Sequence, residues 1–204
     1  MFRPSYPIRT ARLALRPITI DDVDDVHAYQ RRPEVCRWML GAEPRTIAQS
    51  HVSVATMARQ NALRAEGDVL TLAAEVDPSA AGANGPGTGR VAGTAQLVWH
   101  SAADHTAEIG YVFNPEFHGR GLATEAVVGL LGWGFDEFGL HRVYGRCHAD
   151  NEASARLMSR IGMRLEARHV QSYRFRGGWA DQLVFAMLAR EWRSRSRTGP
   201  GGIP

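Results

Sequence analysis

The stretch from Thr106 to His148 constrains this chain more than any other. Thr106–Phe113 sets Glu108, Gly110 and Val112 on one side of an extended run and Ile109, Tyr111 and Phe113 on the other. A helical run, Gly121 to Phe138, follows and stops at Gly139, where a left-handed cap is wanted. Arg142–His148 then resumes as a strand. Strand, helix and strand in that order predict a parallel pair joined by a right-handed crossover. Ligands collect at the carboxyl ends of such strands, which points to Phe113 through Gly121.

The rest of the chain reads as further layers of one domain over residues 1–192. Ile8–Ile18 is expected as a first strand. Thr19-Ile-Asp-Asp is a capping-box-like start for a helix carrying Val23, Val26 and Tyr29 inward. Pro33 begins a short helical segment through Leu40, stopped by Gly41, and Thr46 to about Ala65 a longer one. Val69–Val76 and Arg90–His100 are expected strands. Between them, residues 77–89 are rich in glycine and proline and are expected as a mobile hairpin connection. Asn151–Ile161 reads as a helix closed by Gly162, before two terminal strands near 164–176 and 181–189.

His118-Gly-Arg-Gly-Leu-Ala123 lies at the junction of strand and helix. Gly119 and Gly121 let the main chain approach a ligand closely, and the helix start offers free N–H groups with a positive dipole. That suits a pyrophosphate; a plain tight turn would use the same glycines. The loop has neither the Gly-Lys-Ser/Thr ending of a nucleotide P-loop nor the spacing of the dinucleotide turn.

Taken together, this loop, Glu108-Ile-Gly-Tyr-Val-Phe before it, Thr124-Glu125-Ala126 after it and Asn151-Glu-Ala-Ser154 ahead of Ile161-Gly-Met163 resemble the GNAT superfamily of N-acetyltransferases. Within it they resemble the Rim-type branch, which acetylates N-terminal amines of ribosomal proteins. The resemblance runs from about Arg9 to Trp192. His118 stands where the family usually has Gln or Arg.

The resemblance implies an α/β (α+β) fold: a mixed, mostly antiparallel sheet of about seven strands, splayed at a parallel pair and flanked by helices. It implies acetyl-CoA as cosubstrate and no metal. Backbone groups of Tyr111, Val112 and Phe113 would pair with the pantetheine arm. The loop His118, Gly119, Arg120, Gly121, Leu122, Ala123 and Thr124 would hold the pyrophosphate. Asn151 and Ser154 would face the pantetheine and sulfur, with Asn151 also serving as a helix N-cap.

Transfer needs an uncharged amine and a proton for the departing thiolate. An α-amine, with a pKa of about 7.7–8.0 against about 10.4 for lysine, needs little help to deprotonate. Glu108 is the candidate base, its alternative role being a salt-bridged strand carboxylate. Many family members carry a tyrosine acid where this chain has Met158, so Ser154 is the candidate substitute. Tyr173, Trp179 and Asp181 fall in the terminal strands that shape the acceptor side in related enzymes, although an aromatic hairpin turning at Gly177-Gly178 explains them as well. Arg156 and Arg160 follow on the same helix and suit either a cofactor phosphate or a solvated face.

The acceptor is expected to be a protein N-terminus or a small-molecule amine, and a homodimer is permitted. An inactive acetyl-CoA-binding module is the rival of a different class. Nucleic acid is disfavoured, because the whole formal excess of +3 lies in residues 190–204, with Arg190, Arg193, Arg195 and Arg197 against Glu191. Residues 193–204 are expected as a disordered basic tail. All 24 basic residues are arginine, so the chain has no lysine of its own to acetylate. No apolar run suits a membrane span, Met1–Thr10 holds no secretory-type apolar core, and Cys36 and Cys147 stand far apart. These features predict a cytoplasmic protein.

Overall fold

The computed structural model describes residues 1–39, 43–78 and 89–196. Residues 79–88 of the expected hairpin connection, Leu40–Gly41 and residues 197–204 lie outside the described residues.

Eight strands form one sheet in the order β1-β2-β3-β4-β5-β6-β8-β7. They are β1 (Ile8–Arg9), β2 (Leu13–Pro17), β3 (Val69–Val76), β4 (Val91–Ser101), β5 (Thr106–Phe113), β6 (Arg142–His148), β7 (Arg164–Phe175) and β8 (Gly178–Leu188). Every neighbouring pair is antiparallel except β5 and β6. The helices are α1 (Val23–Gln30), α2 (Pro33–Cys36), α3 (Ile47–Arg59), α4 (Leu122–Gly132), α5 (Glu152–Arg160) and α6 (Ala189–Ser196).

The sheet separates two apolar layers. Leu122, Ala126, Val127, Leu130 and Leu131 of α4 pack with Leu15, Leu72, Leu97, Ile109 and Phe113. On the other face Val23, Val26 and Tyr29 of α1 meet Val54 of α3, with Val112 packed against them. Val112 and Phe113 therefore face opposite layers, as the alternation along β5 requires.

The expected first strand divides into β1 and β2 because Thr10 leaves the strand path. Its hydroxyl accepts from Leu13 N at 2.9 Å and donates to Glu125 of α4 at 2.6 Å. The helix expected to reach Ala65 ends at Arg59, where Gln60 turns to serve β3: its carbonyl accepts from Thr71 N and its Oε1 from the Thr71 hydroxyl. After α4 the chain widens into a π-turn, Trp133–Glu137, before Gly139 closes the run at φ +80°.

The expected basic tail is helical as far as Ser196. The Arg195 guanidinium donates to the Ile161 carbonyl, and the Trp192 indole to Asp136 at 2.9 Å, so this segment is fastened to the domain.

Candidate active site

β5 and β6 are paired only at Thr106–Arg142, Ala107–Val143 and Glu108–Tyr144. Beyond these positions the strands part, and a cleft of about 870 Å³ opens between them. β5 stays fully paired to β4, and β6 to β8, so the opening sits inside the sheet. Gly93 of β4 backs its lip: a Cβ there would stand 2.4 Å from the Val112 carbonyl.

The cleft brings together Glu108, Tyr111, Val112, Phe113, His118, Gly119, Gly121, Leu122, Ala123, Thr124, Asn151 and Ser154. Of the residues expected to hold the cosubstrate, Arg120 alone lies outside the lining. Its carbonyl accepts from Arg12 at 2.9 Å, and its guanidinium lies over Phe117.

The loop has the shape an anion needs. Gly119 and Gly121 hold φ of +73° and +76°, and open space lies where a Gly119 Cβ would stand. Gly121 is the N-cap of α4, so the first-turn N–H groups of Leu122, Ala123 and Thr124 have no acceptor within the helix. The free main-chain donors and the helix dipole fit the pyrophosphate of acetyl-CoA. His118 turns its Nε2 back to within 3.2 Å of the Phe113 carbonyl, tying the loop to the end of β5.

Asn151 caps α5, accepting from Ser154 N at 3.2 Å. Ser154 Oγ meets the Tyr111 hydroxyl at 2.8 Å. Burial pushes the Tyr111 hydroxyl far above its usual range, so it is protonated at any physiological pH. The neighbouring Cys147 thiol is pushed up to about 11 by burial, the Ser154 hydrogen bond opposing the shift. Met158 is buried, and its thioether has no proton to give.

At the other end of the cleft, Glu108 gives both carboxylate oxygens to one guanidinium, Arg146 Nε at 2.9 Å and Nη2 at 2.7 Å. Val35, Trp38, Met39, Gln96 and His148 complete that end of the cleft. Trp38 lies 5.0 Å from the His148 ring, with Phe175 and Tyr173 behind it. Trp179 is exposed beneath Arg174, and Asp181 is paired with Arg168; neither they nor Tyr173 line the cleft. Arg156 and Arg160 do line it, Arg156 also pairing with Glu152 at 2.7 Å. No group of three His, Cys, Asp or Glu side chains among the described residues could hold a metal ion.

Val35, Trp38, Met39 and Arg146 carry no signal of a site in the sequence. Trp38 and Met39 come from a short segment whose sequence signals only a helix and its stop. Arg146 becomes visible only once β6 is laid parallel to β5.

Comparison with known proteins agrees with this geometry. Residues 12–164 match the family described as "Acetyltransferase (GNAT) domain". The chain is 40% identical to the uncharacterized N-acetyltransferase YnaD of Bacillus subtilis, over 44% of this chain and 52% of that one, about half of each. It is 30% identical to the uncharacterized N-acetyltransferase YoaA of the same organism, over 85% of this chain and 91% of that one. A GNAT-family acetyltransferase from Bacillus anthracis superposes with a TM-score of 0.76 at 26% identity, covering 90% of this chain and 98% of its own. A sheet opened at its one parallel pair, a glycine cradle at a helix start and a match over three quarters of the sequence agree: the chain belongs to the GNAT family and is an acetyl-CoA-dependent N-acetyltransferase.

Proposed function

We propose that the acceptor is an α-amine, most simply the N-terminus of a protein or peptide, acetylated by direct attack in the cytoplasm. The observation that carries this reading is the Glu108–Arg146 clamp at the acceptor end of the cleft. It leaves that end poor in negative charge. Glu34, the other lining carboxylate among the described residues, stands 3.7 Å from Arg32. A polyamine carries further ammonium groups that would need counter-charges there, whereas a lone α-amine does not. Relatives bear names of both kinds: the spermidine N(1)-acetyltransferase of Escherichia coli, 24% identical, and the ribosomal L7/L12 alpha-N-protein acetyltransferase RimL, 18% identical. The two buried free cysteines support a reducing compartment.

Acetyl-CoA supplies the acetyl group as a thioester. The main chain of Tyr111–Phe113 and the N–H groups of the loop and α4 hold it, with Asn151 alongside. Glu108 takes the amine proton through water and is oriented by Arg146. An α-amine suits so constrained a base, because a sizeable fraction of it is neutral near pH 7 without help. Ser154 Oγ presents its proton to the departing sulfur, backed by Tyr111.

The test is thiol release with a set of N-terminal peptides, free amino acids and spermidine, preceded by a thermal shift with acetyl-CoA against adenosine. At a hundredfold excess over Kd the cosubstrate stabilises by about 2.7 kcal/mol, roughly 5–10 °C here. Turnover of peptides above spermidine is expected. Spermidine as the better acceptor overturns the α-amine reading, and binding with no turnover on any amine leaves an inactive acetyl-CoA-binding module.

A further inference from the structure

The glycine loop does not hold its shape alone. Arg12, the residue just before β2, reaches across to it and to the first turn of α4. Its Nη1 donates to the Arg120 carbonyl at 2.9 Å, and its Nε donates to Glu125 Oε2 at 2.7 Å. One main-chain and one side-chain tie are added, since Glu125 Oε1 accepts from Arg12 N and from the Thr10 hydroxyl, each at 2.6 Å. Glu125 is mostly enclosed, its side chain 15% exposed, whereas Arg12 remains 47% exposed. The Glu125 backbone N–H meanwhile donates to the Gly121 carbonyl, its helical partner, at 3.0 Å. One guanidinium therefore links the carbonyl before Gly121 to the carboxylate four residues after it.

The link bears on the direction in which main-chain donors point. Arg120 and Gly121 bound the peptide whose N–H belongs to Gly121, and holding the Arg120 carbonyl outward toward Arg12 turns that N–H the opposite way. Gly121 can adopt its left-handed φ of +76° without strain, and a glycine so permissive needs an external restraint to keep one orientation. A Cβ at Gly121 would come within 3.5 Å of Arg12 Nη2, which shows how closely the guanidinium is applied to the loop.

We infer that Arg12, with Glu125, is a positioning residue for recognition of the cosubstrate's pyrophosphate, touching no reacting atom and acting through the Arg120–Gly121 peptide. The inference rests on the reading that this loop holds the pyrophosphate, so its test must separate the two.

The separating probe is acetyl-pantetheine, which carries the same thioester on the same arm but lacks the pyrophosphate and nucleotide. In the full chain, Arg12→Gln and Glu125→Gln are each expected to raise KM for acetyl-CoA about tenfold, the scale of one lost charge-assisted hydrogen bond. KM for acetyl-pantetheine and kcat with either donor should stay within about twofold. The double variant should lose little more than either single one, because the two side chains form one unit. Gly121→Val tests the loop reading itself and should abolish the preference for acetyl-CoA. If Gly121→Val keeps that preference, the loop does not read the pyrophosphate and both readings fall. If Gly121→Val loses it and Arg12→Gln does not, the loop stands and the positioning role of Arg12 is overturned. Equal weakening toward both donors, with a lowered Tm, would reduce Arg12 to a structural tie and likewise overturn the proposal.

Discussion

The Tyr111 hydroxyl and Ser154 Oγ lie 2.8 Å apart, joining β5 to α5 across the splayed strands. Tyr111 also reaches the Ser154 carbonyl at 3.2 Å, so its ring is fixed from two directions. With the hydroxyl of Tyr111 donating to Ser154 Oγ, the Ser154 proton is left for the cleft. Tyr111→Phe removes that ordering while keeping the strand. We expect kcat to fall about tenfold with KM for acetyl-CoA unchanged, and Ser154→Ala to fall at least as far. Steady-state kinetics at saturating acceptor check this, and an unchanged kcat in both variants would leave water as the proton source.

Glu108→Gln keeps a hydrogen bond to Arg146 but cannot take a proton. At pH 7 a loss of about a hundredfold in kcat/KM for a peptide acceptor is expected. The loss should shrink as pH rises past the amine's own pKa of about 8, where the acceptor arrives neutral. A pH–rate profile decides it. Parallel profiles for variant and parent would make Glu108 a strand carboxylate held only for its salt bridge.

Gly93 has no room for a side chain, since a Cβ would stand 2.4 Å from the Val112 carbonyl and 2.6 Å from the Phe113 ring. Gly93→Ala must push β5 away from β4 at the lip of the cleft. A loss of about 2 kcal/mol of stability is expected, roughly 4–8 °C in Tm, together with weaker acetyl-CoA binding. Calorimetry and a binding isotherm measure the two effects; a shift in Tm alone would mean that the strand yields elsewhere.

Glu166 accepts from Arg142 at 3.0 and 2.5 Å and from Arg164 at 2.6 Å, and Arg164 continues to Glu191. These partners, Arg142 foremost, hold its carboxyl down at about 2, against an ordinary 4.5. A depressed carboxylate stabilises the fold above its unfolded pKa and loses that contribution as pH falls through the folded one. Denaturant titrations should therefore show stability declining between about pH 4.5 and 2, with a shallower decline in Glu166→Gln. Identical acid limbs would show that other carboxylates dominate.

Much of this architecture was legible locally. β3, β5 and β6 fall where their apolar patterns put them, and Asn151 caps α5 as its position before an amphipathic run suggested. The glycine loop was visible because left-handed φ leaves a compositional mark. What escaped notice depends on partners far along the chain. Gln60 ends α3 because Thr71 needs it, and Thr10 breaks the first strand because Glu125 draws it away. The guanidinium that engages Glu108 comes from a residue 38 positions later. In α6 the helical signal is a run of arginines with one tryptophan, and Asp136 and the Ile161 carbonyl give it an anchorage that composition does not advertise.

Because β5 and β6 stop pairing after Glu108 and Tyr144, this sheet has four edges instead of two. The outer pair is short or defended: β1 has two residues, and β7 is interrupted by bulges and studded with arginine. The inner pair, on the free flanks of Ile109–Phe113 and Gly145–His148, lies inside the sheet, with α4 packed near β5 and α5 near β6. On the proposed reading, the pantetheine arm of the cosubstrate would enter there and be bonded as though it were a ninth strand. Acetyl-CoA would then act on this protein as a missing piece of secondary structure, and its depletion would uncap a sheet as well as slow a reaction.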